Sequence, residues 1–318
     1  MALADTTTAR PPTAGPHAAG PRTGQRGPRL RRALAPYALI TPTVLLLAVF
    51  LLVPVGSVVY YALQHHVVNE PYDDAFVGLG NFRTMFGDSR FWSSLAFSAK
   101  WVAAEVLLQL LLGLALALIV NESFVGRAMA RALVFSPWAV SGVLTTSIWM
   151  LLYNPATGVF HYLSEIGVGD AGTSVLGNPD TVFGAAVVAE LWRGVPFFAI
   201  LILADLQSVP KELYEAASID GAGRVRSFLH VTLPHLRDAI VLATLLRSVW
   251  EFNNVDLLYT LTNGGPAGAT TSLPLYVAQL ARKSYDFGYG SALTTAAFVI
   301  LLFCSVLYLR LSKFGRQQ

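Results

Sequence analysis

The chain is 318 residues long, 54% hydrophobic and 13% charged, with a mean hydropathy of +0.54, whereas soluble domains run at roughly 45–50% apolar and about 25% charged. That balance excludes an ordinary soluble fold and places the chain in a membrane. The formal net charge of +3 and pI near 9.0 trace to where Arg and Lys sit around the apolar segments, so they do not mark a nucleic-acid surface and no nucleic-acid partner is expected.

Residues 1–35 are rich in Pro, Gly, Ala, Thr and Arg with almost nothing to bury, which predicts a disordered cytoplasmic N-terminal tail. Arg31-Arg32 precedes an apolar run far longer than the 7–15 residues of a signal-peptide core, and no small-x-small site closes that run, so cleavage is not expected. A spanning helix needs about 20 predominantly apolar residues. Six segments meet that length: Tyr37 to Leu63, Leu95 to Val120, Ala132 to Tyr153, Val182 to Leu206, Ala239 to Leu261 and Gly290 to Leu309. The expected fold is therefore an all-α membrane protein with six transmembrane helices. It comprises a six-helix membrane domain over 36–312 and a short cytoplasmic tail over 313–318. Pro42 and Pro54 are expected to kink the first span.

With the N-terminus inside, cytoplasmic stretches hold Arg10, Arg22, Arg26, Arg29, Arg31, Arg32, Arg127, Arg131, Lys211, Arg224, Arg226, Arg237, Arg310, Lys313 and Arg316; outer loops hold Arg83, Arg90, Lys100, Arg282 and Lys283. Because short cytoplasmic loops retain Lys and Arg, this asymmetry places both termini in the cytoplasm of a multi-pass cell-membrane protein. Cys304 is the only cysteine, and the histidines show no ligand spacing, so neither a disulfide nor a metal site is expected. A nucleotide-binding loop needs Gly-Lys followed by Ser or Thr. None of Lys100, Lys211, Lys283 and Lys313 follows a Gly, so the chain is read as a non-enzyme with no catalytic residue.

Between the fourth and fifth spans, 207–237 is polar and Gly-punctuated. Glu212 to Ile219 can form a short helix, Gly221 and Gly223 break it, and Val225 to Leu233 can form a second, which together make a compact knob. Ala216 and Ala217 admit a close partner surface, Leu213, Ile219, Phe228 and Leu229 offer apolar contacts, and Glu215 and Asp220 would meet a basic or polar rim. Composition alone would fit an ordinary helix-turn-helix link.

The fifth span carries Glu251, Asn253, Asn254 and Asp256 inside an apolar helix. A charge at membrane depth costs about 2.5–3.5 kcal/mol on insertion scales, so such residues face a bundle interior or a water-filled path. With Trp250 and Tyr259 they form the candidate substrate path, since small-molecule sites set a few hydrogen-bonding groups in apolar and aromatic walls. Plainer roles stay open. Glu190 with Arg193, and Arg247 with Glu251, have the spacing of ion pairs within one helix. Glu105 and Gln109 suit interhelical glue as well as substrate contact, and Trp149, Tyr153 and Trp192 suit interfacial anchoring.

Two stretches carry a family resemblance. Glu215, Ala216, Ala217, Gly221, Val231, Leu233 and Pro234 stand at the spacing of the ATPase-coupling loop of permease subunits in binding-protein-dependent ABC importers, Val231 replacing the usual Ile. Asp256, Tyr259, Leu261, Thr262, Gly264, Gly265, Pro266, Thr270 and the Gly288-Tyr289-Gly290 run resemble the carbohydrate branch, with its maltose-type and glycerol-3-phosphate-type subunits. The resemblance covers about 36 to 312. It implies a type I importer fold working by alternating access and taking up disaccharides or oligosaccharides of maltose or trehalose kind. Implied partners are a second homologous permease, an ATPase dimer that uses ATP and Mg (this chain binding no cofactor itself), an extracytoplasmic solute-binding protein, the sugar and membrane lipid. Glu215, Ala216, Ala217, Asp220, Gly221, Phe228, Leu233 and Pro234 are the implied coupling residues. A permease for glycerol phosphate, a polyamine or an amino acid is the nearest alternative, and an ion-coupled carrier a more distant one.

Overall fold

The computed structural model describes residues 29–69, 75–166, 174–312 and 314. The expected N-terminal tail lies outside them as far as residue 28, and so does the C-terminal tail apart from 314. The chain divides into two units, residues 1–54 and 55–318.

In the first unit, α1 (Arg29–Leu47) begins six residues earlier than the expected end of the tail at 35. The cause is local: Arg, Leu and Ala are among the best helix formers. Pro42 leaves α1 unbroken, and the distortion lies instead at a π-helical turn, Ala48–Leu52. That turn contains Phe50, whose carbonyl the ring of Pro54 would otherwise strike. The side chains of Leu45, Phe50 and Leu52 are exposed, as a lipid-facing helix requires.

α2 (Val53–Ala62) leads into the second unit and a two-stranded hairpin, β1 (Gln64–His65) antiparallel to β2 (Ala75–Phe76). α3 (Gly80–Gly87) is fastened there by Asn81, whose amide donates to the carbonyls of Ala62 at 3.0 Å and Gln64 at 2.8 Å. α4 (Ser89–Asn121) and α8 (Pro179–Leu206) form the centre. On α4 the buried row is Trp101, Glu105, Gln109, Gly113, Ala117; on α8 it is Ala186, Glu190, Gly194, Phe198, Ile202, Leu206. Each row recurs every fourth residue, so ridges of that spacing interlock. Gly113 sits where a Cβ would lie 2.5 Å from Phe198 Cβ, so a glycine there lets the backbones approach.

Between these helices run α5 (Arg127–Phe135), α6 (Gly142–Leu152) and α7 (Val159–Glu165). After α8 come α9 (Lys211–Ile219), α10 (Arg224–Ser227), a π-helical turn over Phe228–Thr232, α11 (Leu233–His235) and α12 (Arg237–Phe252). The chain closes with α13 (Val255–Thr262), α14 (Leu273–Gln279) and α15 (Phe287–Ser312).

Among the described residues four helices are long and apolar enough to cross a membrane: Leu39–Ala62, Ser89–Asn121, Pro179–Leu206 and Phe287–Ser312. Two bent pairs bring the number to six if each pair is one span. The expected third span, Ala132 to Tyr153, is thus corrected to α5 and α6 meeting at 99°. A 3-10 turn begins at Ser136-Pro137, Val140 is extended, and Ser141 Oγ accepts from Leu144 N at 3.3 Å to start a new helix. Arg131 donates twice to Val120 O, at 3.1 and 2.9 Å, and closes the end of α4. The second pair, 224–235 with α12, bends by 62°.

The N-terminal end of α4 is pinned by Asp88, its N-cap. Its Oδ2 accepts from Tyr276 Oη at 2.8 Å and Tyr289 Oη at 2.7 Å, and its Oδ1 from Arg90 N at 2.8 Å. Burial works to raise this carboxyl, but those hydrogen bonds outweigh it and hold the pKa below the ordinary value of 3.8. A depressed carboxyl stabilises the fold above its unfolded pKa and loses that contribution as pH falls through the folded one. The hold of α4 on α14 and α15 is therefore expected to be constant from neutrality down to about pH 4 and to fail only in stronger acid. Thermal melts across that range would test this; Asp88→Asn should flatten the acid limb, and an unchanged limb would refute the assignment.

Candidate functional site

The polar side chains of the expected fifth span do not share one helix. α12 ends at Phe252 and α13 starts at Val255, so Asn253 and Asn254 form a break. This corrects the continuous span Ala239 to Leu261. Asn253 Nδ2 donates to Val249 O at 2.8 Å, competing for the carbonyl that ends the helix. Val255 N bonds to Asn253 O at 2.9 Å across Asn254, whose φ −75° and ψ 83° are those of an inverse γ-turn.

Behind the break lies a buried polar seam across α4, α8 and α12. Arg247 sits at its centre, its Nη2 2.8 Å from Glu190 Oε1 and 2.6 Å from Glu251 Oε1, its Nε 2.6 Å from Gln109 Oε1. Gln109 Nε2 donates to Glu105 Oε2 at 2.8 Å and to Glu251 Oε1 at 3.0 Å. Arg193 Nη2 pairs with Glu190 Oε1 at 2.8 Å. Glu251 Oε2 accepts from Trp101 Nε1 at 3.3 Å and Asn254 Nδ2 at 3.2 Å. Thus both pairings within single helices form, and Gln109 joins α4 to α12. Charges this deep persist only when paired and hydrogen-bonded, as Glu190, Arg247 and Glu251 are.

The structure separates the expected path residues. Glu251 is buried with both oxygens engaged and presents nothing to a cavity. Asn254 is half-buried and joins the seam. Asn253 is exposed and lines a groove of about 450 Å³ with Leu273, Val277, Thr294 and Phe298. Asp256 and Trp250 are exposed, and Tyr259 lies under the guanidinium of Arg282 at 4.6 Å. Tyr153 Oη is committed to Ala185 O at 2.9 Å. Trp101 was not anticipated, although the stripe Trp101, Glu105, Gln109 at i, i+4 spacing in an apolar helix was there to be read. Arg193, with its side chain 27% exposed, is the seam's most open arm.

The second candidate is the loop 207–237. Gly221 N bonds to Ser218 O at 3.1 Å and Ala222 N to Ala217 O at 2.9 Å, with Gly221 at φ 73°. Those paired bonds around a left-handed glycine are a Schellman closure. Glu215, Ala216, Asp220 and Pro234 are exposed, while Ala217, Phe228 and Leu233 are half-buried. Ile219 and Val225 project apolar surface from either side of the turn. Two contacts close the loop on itself, Tyr214 Oη to Thr232 Oγ1 at 3.0 Å and Ser208 Oγ to His235 Nε2 at 3.0 Å. Arg237 donates to Ser312 O, tying the foot of α12 to the end of α15.

The loop, and the seam apart from Trp101 and Glu105, lie in a stretch that matches a family model, "Binding-protein-dependent transport system inner membrane component", over residues 109–314. The chain is 37% identical over 291 residues to the trehalose/maltose transport system permease protein MalF of Thermococcus litoralis, covering 91% of this chain and 97% of that one. It is 32% identical over 290 residues to the trehalose transport system permease protein SugA of Mycobacterium tuberculosis, covering 91% of each. A chain of a bacterial alginate ABC transporter, solved in complex with an alginate pentasaccharide-bound periplasmic protein, superposes with a TM-score of 0.78 at 22% identity, covering 90% of this chain and 98% of that one. That likeness shows the same fold. With the broken fifth span, the Schellman-closed loop and matches of this extent, the chain belongs to the family of inner-membrane components of binding-protein-dependent transport systems.

Proposed function

We propose that this chain is the permease subunit of an ATP-driven carbohydrate importer, taking up disaccharides or oligosaccharides and forming half of the translocation path. A second permease completes the path, a solute-binding protein delivers the sugar at the outer face, and a separate ATPase dimer docks on 207–237. Both termini and that loop lie in the cytoplasm, in keeping with the Arg and Lys asymmetry. The chain is a transporter subunit and not an enzyme.

The observation that carries this reading is mechanical continuity. The knob is bonded through Tyr214 and Ser208 to Thr232 and His235, directly before α12. The far end of α12 is the break at Asn253 and Asn254, beside the seam. A displacement at the knob therefore reaches the break through the 62° bend before Arg237 and then along α12. ATP binding closes the ATPase dimer, shifts the knob and turns the cavity outward; hydrolysis resets it. Asn254, Asp256, Tyr259, Trp250 and the open arm Arg193 are the groups available to sugar hydroxyls and ring faces.

Gly221→Val should insert normally yet lose uptake almost completely, because a β-branched residue resists φ 73°. Glu215→Arg should weaken ATPase capture through its reversed charge. Co-purification of the ATPase and sugar uptake into vesicles are the measurements; wild-type behaviour of both variants would remove the coupling role.

A further inference from the structure

The N-cap of α13 is not used as one. Asn is among the best N-cap residues because its side-chain oxygen accepts from the second or third amide of the helix. Asn254 occupies that position but makes no such bond. Its side chain turns back and donates through Nδ2 to Glu251 Oε2. The grip is asymmetric: Glu251 Oε1 is held at 2.6 Å by Arg247 and 3.0 Å by Gln109, whereas Oε2 meets Trp101 and Asn254 at 3.3 and 3.2 Å.

We propose that Glu251 is a positioning residue which holds Asn254 off its own helix and turned toward the seam, and that Asn254 is a two-position element. In one position its amide donates to Glu251. In the other its oxygen caps α13 at the amide of Asp256 or Leu257. Arg247 and Gln109 fix Glu251 to α4 and α8, so a shift of α12 against those helices decides which position Asn254 takes. The polar edge offered to a sugar then changes together with the packing of the spans. This deepens the reading above and rests on the seam bordering the sugar path.

Glu251→Gln tests it in the assembled complex. The amide oxygen can still accept from Arg247, which leaves its NH₂ facing the NH₂ of Asn254 and the indole N–H of Trp101. Donor meets donor, so Asn254 must turn its oxygen either toward the new amide or onto its cap, and the exchange measurement tells the two apart. Hydrogen exchange over 255–262 should then slow in Glu251→Gln, and should not slow when Asn254→Ala is added. In uptake assays with maltose and trehalose, Glu251→Gln and Asn254→Ala should each raise the half-saturating concentration about 5–10-fold, an expectation of about 1–1.4 kcal/mol by the tenfold-per-1.4 rule. The double variant should be no worse than either alone, as coupled neighbours require. A purely structural Glu251 would lower the amount of complex and its maximal rate while leaving half-saturation unchanged, and that outcome, or unaltered exchange over 255–262, overturns the proposal. Altered exchange in a complex whose wild type imports neither sugar would instead retain the positioning role and refute the proposed substrate class.

Discussion

Arg247→Ala is expected to leave little or no assembled permease. Arg247 is 4% exposed and its guanidinium bonds Glu190, Glu251 and Gln109 at once, so its removal strands carboxylates from two helices with Arg193 left to pair with Glu190. Breaking a buried pair by deleting one partner costs about 3–5 kcal/mol, because the remaining charge is uncompensated. That is a large part of the roughly 5–15 kcal/mol by which domains exceed unfolding. Arg247→Lys should fall between, since an ammonium is a point charge and cannot present the fork that reaches three acceptors. Combining Arg247→Met with Glu190→Gln and Glu251→Gln should recover part of the yield, as it removes the stranded carboxylates and leaves the charge of Arg193, 27% exposed, to solvent. Detergent-extracted yield and thermal denaturation of the complex are the measurements, and an Ala variant as abundant and as heat-stable as wild type would contradict the keystone role.

Gly194→Ala is expected to be nearly as damaging. A Cβ there would lie 2.5 Å from Arg247 Nη2 and closer still to the side-chain amide of Gln109. Neither group can withdraw without losing its carboxylate, so the added methyl opens the seam as well as overpacking it. Overpacking alone costs about 1–3 kcal/mol. Gly184, on the same helix, has nothing within 4 Å of its would-be Cβ. Gly184→Ala should therefore be neutral or slightly stabilising by helix propensity. A Gly194→Ala complex that melts with its Gly184→Ala counterpart would show that the seam yields more readily than its geometry implies.

Much of the fold was legible because membrane helices are encoded by composition over long windows. Val182 to Leu206 lies within α8 and Leu95 to Val120 within α4. The loop 207–237 was legible in finer detail, since Gly221 and the short helices on either side are dictated by local backbone preferences. What the sequence hid were the breaks. An apolar run is equally hydrophobic straight or bent, so Ala132 to Tyr153 read as one helix although Ser136-Pro137 and Ser141 divide it. Asn253-Asn254 read as polar helix residues for the same reason. The seam was half visible: spacing announces pairs within one helix, such as Arg247 with Glu251, but says nothing of which helices meet. That Arg247 spans to Glu190, or that Trp101 serves Glu251, depends on the close approach that Gly113 and Gly194 permit.

The π-helical turn at Phe228–Thr232 bears on how such proteins tolerate length changes. A wide turn of this kind amounts to one residue inserted into an α-helix, and each residue advances an α-helix by about 100°. The compass bearing of the knob about the axis leading into α12 is thus set by a single surplus amino acid. Deleting that one residue would swing Glu215 and Ile219 by over a quarter circle while leaving every side chain's chemistry intact, so single-residue indels between Ser227 and Leu233 should be far less tolerated than substitutions there.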